Sequence, residues 1–195
     1  MAYHGREGFS FLNHFMSELG RYGVASPWAV VYNSGLFIGG ALLVLFIFGC
    51  GWHFRSRLGL AAALCGILSA LACSLLGFFT LNRLVSHLMV AYAFFFSWPL
   101  TVGLFTLLIC LEQRTKWSRP LVVLGSISFV LFVIFLALPF VIGLKNIWAI
   151  DLRHYVRPDV LFPAVLEWTM FFSVIAWIVL VCIDLSARQR VAQKT

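Results

Sequence analysis

Five long apolar runs, separated by short polar gaps, organise this chain. A hydrocarbon core about 30 Å thick takes roughly 20 residues at 1.5 Å each, and the runs at 28–51, 58–81, 84–111, 121–144 and 162–185 are long enough to cross it. The pattern predicts an all-α fold: one polytopic transmembrane helical bundle of five spans, occupying residues 1–195 as a single domain. Trp28 and Trp52 bracket the first run about 24 residues apart, roughly 36 Å of helix, a spacing that suits rings anchored at both interfaces. Pro99 and Pro139 fall inside the third and fourth runs and should kink those helices without breaking the spans, because neighbouring helices can satisfy the freed backbone groups. Ahead of the first span, Phe9, Leu12, Phe15, Met16 and Leu19 recur at helical spacing, with Ser10, Asn13, His14 and Ser17 between them. That periodicity predicts an amphipathic interfacial helix over about 9–19, or a lid over the bundle.

Composition agrees with this reading. The chain is 62% apolar and 11% charged, with a mean hydropathy of +0.99, whereas a soluble domain carries about 25% charged residues. A soluble enzyme, a disordered tail and a nucleic-acid reader are thereby excluded. The net charge of +7 belongs to the gaps between spans, where Lys and Arg orient helices during insertion. Arg55, Arg57, Arg114, Lys116, Arg119, Arg188, Arg190 and Lys194 share one side. Arg6, Arg21, Arg83, Lys145, Arg153 and Arg157 are spread over longer segments on the other, diluted by Glu7, Glu18, Asp151 and Asp159. By density of positive charge, the protein sits in the cell membrane with its N-terminus outside and its C-terminus cytoplasmic. The five cysteines lie inside or at the ends of apolar runs, which argues against a disulfide framework.

Polar groups inside spans are costly and therefore paired or functional. Asn33, His87 and Glu167, on three different spans, each fall about 5–8 Å below the outer interface when depth is counted at 1.5 Å per residue. An acid and an imidazole at one depth lower each other's desolvation penalty by pairing, and Asn33 can supply the remaining hydrogen bonds. Above them stand Glu18, Ser17 and His14 from the amphipathic segment, with Asn82 and Arg83 in the turn between the second and third spans. The arrangement is read as a polar pocket in the outer leaflet that binds a lipid or small amphiphile, with Glu18, Asn33, His87 and Glu167 as its principal residues and Ser17 and His14 beside them. Two alternatives stay open. One is an intramembrane lipid-modifying or hydrolytic enzyme using His87 and Glu167; the other is a structural or partner-binding subunit in which the pair locks two helices together.

No sequence pattern names a reaction or calls for a cofactor. His14 and Glu18 are four apart and would share a helical face as metal ligands often do, but HxxxE pairs are common on exposed helices and no metal is assigned. Haem is excluded because His87 has no second buried histidine at a matching position on another span. Transport is disfavoured, since an ion path needs polar groups at several depths and below Glu167 only scattered Ser, Thr and Cys remain. Small residues crowd the second run and should let it pack tightly on the first. Gly35 and Gly39 point away from Asn33, which suggests a partner helix or a second protomer on that side. Membrane lipids complete the expected partners, and nucleic acid is not among them.

The stretch Phe11-Leu-Asn-His-Phe-Met-Ser17-Glu18-Leu19-Gly20, followed by Ser26-Pro27 and then Val31-Tyr32-Asn33-Ser34-Gly35, resembles the multi-pass family called domain of unknown function 998. In that family an S-[DE]-L-G loop on the outer face precedes a proline and an N-x-G helix start. A later helix opens with His, matched by Ser86-His87, and the last carries an acid near an aromatic, matched by Glu167-Trp168. The resemblance brings no established activity. It implies a hydrophobic helix ahead of the S-E-L-G loop, giving six spans, whereas this chain begins just after the place where that helix would end.

Overall fold

The structure is a computed structural model describing residues 8–25, 27–54, 56–111, 117–141 and 158–192. Five helices account for most of them: α1 (Trp28–Phe54), α2 (Arg57–Phe78), α3 (Leu84–Leu111), α4 (Arg119–Val141) and α5 (Phe162–Ala192). All five are long and apolar enough to cross a membrane. Each packs chiefly on its neighbours in sequence, in a row from α1 to α5, as consecutive elements usually do. The helices run through Pro99 and Pro139. Residues 142–144 of the fourth predicted span lie outside the described residues, as do Arg6, Glu7, Ser26, Arg55, Arg114, Lys116, Lys145, Asp151, Arg153, Arg157 and Lys194.

The closest approach in the bundle is between α1 and α2. A Cβ on Gly77 would run into the backbone of Asn33 and Phe37, and one on Gly40 into the backbone of Ala70 and Ser74. The Ser74 hydroxyl completes the seam by donating to the Phe37 carbonyl at 2.5 Å. Hydrocarbon gives helices no hydrophobic reason to associate, so this intimacy of backbones is what joins them. Gly35 and Gly39 lie elsewhere on α1, where a Cβ would meet nothing within 4 Å.

Farther along the row the core is aromatic. Trp98 of α3 and Trp177 of α5 are both fully buried and meet edge to face, 6.0 Å between ring centroids. Phe46 of α1 reaches the same Trp177 at 6.4 Å. Hydroxyls at this level turn back on the protein: Ser97 donates to Ala93 O, Thr101 to Ser97 O, and Ser173 to Ser128 Oγ. At the end where α4 begins, the Trp117 ring stacks on Phe54 at 5.5 Å, and the Arg188 guanidinium lies 3.8 Å from its centroid. Asp184 accepts from the Ser118 amide at 2.9 Å, satisfying one of the orphan donors at the start of α4.

Before α1 the sequence pattern fails. Residues 9–19 do not form one amphipathic helix; they pass through turns at 11–13 and then a single 3-10 helix, Met16–Gly20. The run is too short to nucleate an isolated helix cheaply, and its polar side chains take backbone groups that a helix would need. Ser10 Oγ accepts from Leu12 N at 3.2 Å, and the Glu18 carboxylate accepts from Phe15 N at 3.0 Å. Burial no longer follows the two predicted faces: His14 is at 3% exposure and Leu12 at 52%, while Phe15 and Met16 are buried.

The contrast between glycines gives a direct check on the α1–α2 seam. Gly77→Ala should cost about 1–3 kcal/mol through forced separation of the two backbones, while Gly39→Ala should stay within about 0.5 kcal/mol. Thermal melting of the two variants in detergent measures the difference.

Candidate functional site

Residues 10–25 lie across one end of the bundle as a cap, and polar side chains from the helices and from the α2–α3 turn tie it down on three sides. Toward α5, Glu167 Oε2 accepts from the Met16 amide at 2.8 Å, the Trp168 indole donates to His14 O at 3.0 Å, and the Leu161 amide donates to Leu12 O at 2.8 Å. Toward α1, Asn33 Nδ2 donates to Gly20 O at 3.0 Å. Toward the α2–α3 turn, Asn82 and Tyr22 exchange two bonds of 2.8 and 3.0 Å between side chain and backbone. Gly20 packs closely on α1, and a Cβ there would displace the Asn33 side chain that holds the cap and press on the Tyr32 ring.

Under the cap is a cavity of about 520 Å³, within the usual range of small-molecule pockets. The polar side chains gather at its upper end, Ser17, Glu18 and Arg21 from the cap, Tyr32 and Asn33 from α1, His87 from α3 and Glu167 from α5, among Phe15, Met16, Leu81 and Leu84. Its lower wall is apolar, made by Leu43, Ala91, Phe94, Phe95, Phe132, Met170 and Val174. Trp98 and Trp177 lie about one turn below Phe94 and Val174 on their helices.

Asn33, His87 and Glu167 therefore do come together around one space, and Glu18 and Ser17 join them. They do not bond one another as equal depth led us to expect. His87 Nδ1 is 2.8 Å from Phe79 O, a carbonyl at the end of α2 that has no helical partner of its own. Donation to that carbonyl places the proton on Nδ1 and, in the neutral ring, leaves Nε2 as the acceptor. Glu167 is committed to the cap through Met16, and Asn33 through Gly20. His14 is the exception, being absent from the cavity wall. Its Nδ1 lies 2.6 Å from Asn13 Oδ1 and its ring rests against Phe9. With no α-helix at 9–19 and the 3-10 helix starting only at Met16, the four-residue spacing of His14 and Glu18 no longer puts them on one face. Among the described residues no group of three or more His, Cys, Asp and Glu could hold a metal.

Sequence reasoning counted Arg21 only as a topological charge and named Tyr32 and Trp168 only within the family resemblance, giving none of the three a place in the site. Tyr32 carried a signal, since it precedes Asn33 at the same depth. Arg21 and Trp168 act through the path of the cap, which no local pattern reveals.

Removing one anchor should loosen the cap and leave the bundle intact. In Glu167→Ala the Met16 amide loses its acceptor, and in Asn33→Ala the Gly20 carbonyl loses its donor. Leaving a buried polar group unsatisfied costs about 1–3 kcal/mol, so the Met16 amide of Glu167→Ala should exchange with solvent roughly fivefold faster or more. Hydrogen exchange resolved along the chain should show the amides of α2 and α3 unchanged.

No curated protein and no solved structure matches this chain. A family model does match, over residues 2–184. That range takes in the Ser17-Glu18-Leu19-Gly20 turn of the cap, the Asn33 that holds it, and the His87 and Glu167 of the cavity wall. The chain belongs to the family described as Protein of unknown function (DUF998).

Proposed function

We propose that this integral membrane protein binds a lipid or small amphiphile in the capped cavity, with the cap on the outer face and the C-terminus in the cytoplasm. The observation that carries the reading is the gathering of the cavity's polar side chains at its upper end, above an apolar lower wall, within membrane-spanning helices. An amphiphile matches both ends at once. Its tail covers Phe94, Phe95, Phe132 and Met170, and its head meets Glu167, Asn33, His87 and Arg21. Burial of apolar surface supplies affinity, at about 25 cal/mol per Å², and the polar groups fix orientation. The charge pattern of the chain supports the orientation, because the densest Lys and Arg lie on the side away from the cap.

Native mass spectrometry of the protein released from mild detergent tests this reading. Wild type should carry an adduct of lipid mass. Ala91→Phe, which fills the lower cavity, should lose it, while Met89→Phe, on the exposed face of the same helix, should keep it. Folded wild type without an adduct, or Ala91→Phe with an undiminished one, overturns the proposal.

A further inference from the structure

We infer that the cavity is filled sideways from the bilayer, by one chain of a phospholipid whose head group carries a hydrogen-bond donor for Glu167 beside its phosphate. The inference rests on the pocket reading above and adds the route and the head-group chemistry.

The route follows from how the row of helices closes. α1 and α5 stand at the two ends of the row, and among the described residues no extensive packing joins them. Phe46 and Trp177 bring them together below the cavity. Above that contact, Tyr32 and Leu36 of α1 and Glu167 and Phe171 of α5 line the cavity instead. The cap spans this gap at the top, held to α5 by Met16 and to α1 by Gly20. With further ties at Leu161, Trp168 and Asn82, it obstructs approach from water. Among the described residues the cap is the element that packs on both α1 and α5, and both helices are long and apolar enough to cross a membrane, so the seam below the cap is taken as the opening toward hydrocarbon. From Glu167 to Val174 the cavity wall descends roughly 10 Å, and from Asn33 to Leu43 roughly 15 Å, about the depth of one leaflet of a 30 Å core.

The head-group chemistry follows from Glu167. A carboxyl group in a span needs partners, and among the described residues the Met16 amide is the one donor it receives. That bond occupies Oε2 and leaves Oε1 for a donor brought by the ligand. Arg21, on the cap, lines the same cavity and offers the planar fork that suits a phosphate. A phosphate with an ammonium or a hydroxyl close by answers both groups. A head group with a trimethylated ammonium answers only Arg21, through its phosphate, because the ammonium has no hydrogen to donate to Glu167.

The experiment is a competition on the full-length protein in nanodiscs made from equal parts of phosphatidylethanolamine, phosphatidylglycerol and phosphatidylcholine of one chain length. Bound lipid is then read by native mass spectrometry. One or both of the first two should be retained about tenfold over phosphatidylcholine, the scale of one charged hydrogen bond. Ethanolamine enrichment identifies an ammonium as the donor, and glycerol enrichment a hydroxyl. Glu167→Gln, which can still accept from Met16, should keep lipid and lose the preference. Equal retention of phosphatidylcholine by wild type overturns this inference and leaves the pocket reading standing, whereas no retained lipid of any kind overturns both. Leu36→Trp combined with Phe171→Trp should slow lipid exchange at the seam by tenfold or more. Exchange at the wild-type rate overturns the sideways route.

Discussion

Irregular backbone laid over a membrane bundle needs partners for the amide and carbonyl groups that it turns away from water. Here the cap finds them by borrowing side chains. Glu167 takes the Met16 amide, Asn33 serves the Gly20 carbonyl, the Trp168 indole serves His14 O, and Glu18 closes its own turn on the Phe15 amide. The carboxylate, amide and indole that look anomalous in apolar helices are the means by which a non-helical segment can rest there. The cavity below exists because the cap is suspended from these groups and does not descend into the bundle.

The five spans were legible because length and hydropathy alone decide them: a run of the right length must be a helix, since no other single segment can hide its backbone in lipid. The convergence of Asn33, His87 and Glu167 was legible for a related reason. Rise per residue is fixed, so position in a run gives depth, and equal depth on different helices is a condition for meeting. Depth does not give direction around the helix axis or the identity of a partner. That is why His87 could be placed beside the cavity and yet be matched to the wrong group, its proton going to Phe79 O and not to Glu167. The partners of Asn33 and Glu167 are backbone atoms of residues 16 and 20, and a main-chain carbonyl or amide leaves no trace in sequence. The same limit explains the cap. Periodicity at Phe9, Leu12, Phe15 and Met16 describes a helix standing alone on an interface, whereas the real segment is shaped by contacts with α1, α5 and the α2–α3 turn.

Polarity in the described bundle is sharply layered. Carboxylates, amides and imidazole gather under the cap. At the level of Trp98 and below, the Ser97, Thr101 and Ser173 hydroxyls are spent on carbonyls of their own helices or on another hydroxyl, and a hydroxyl bonded one turn back presents little polarity to its surroundings. Polar atoms left over there, among the described residues, include the Thr106 hydroxyl and the indole N–H groups of Trp98 and Trp177, buried without a hydrogen-bond partner.

The two ends of the molecule are fastened by different physics. Stacked rings and a cation over an indole join α1, α4 and α5 at the Trp117 end, and such contacts have no small-molecule competitor inside a membrane. At the other end, the fasteners between first and last helix are individual hydrogen bonds, which any arriving donor or acceptor can exchange for its own. On the proposed route the bundle works as a clothes-peg: held at the tryptophan end, it would part its jaws at the other without coming off its pivot.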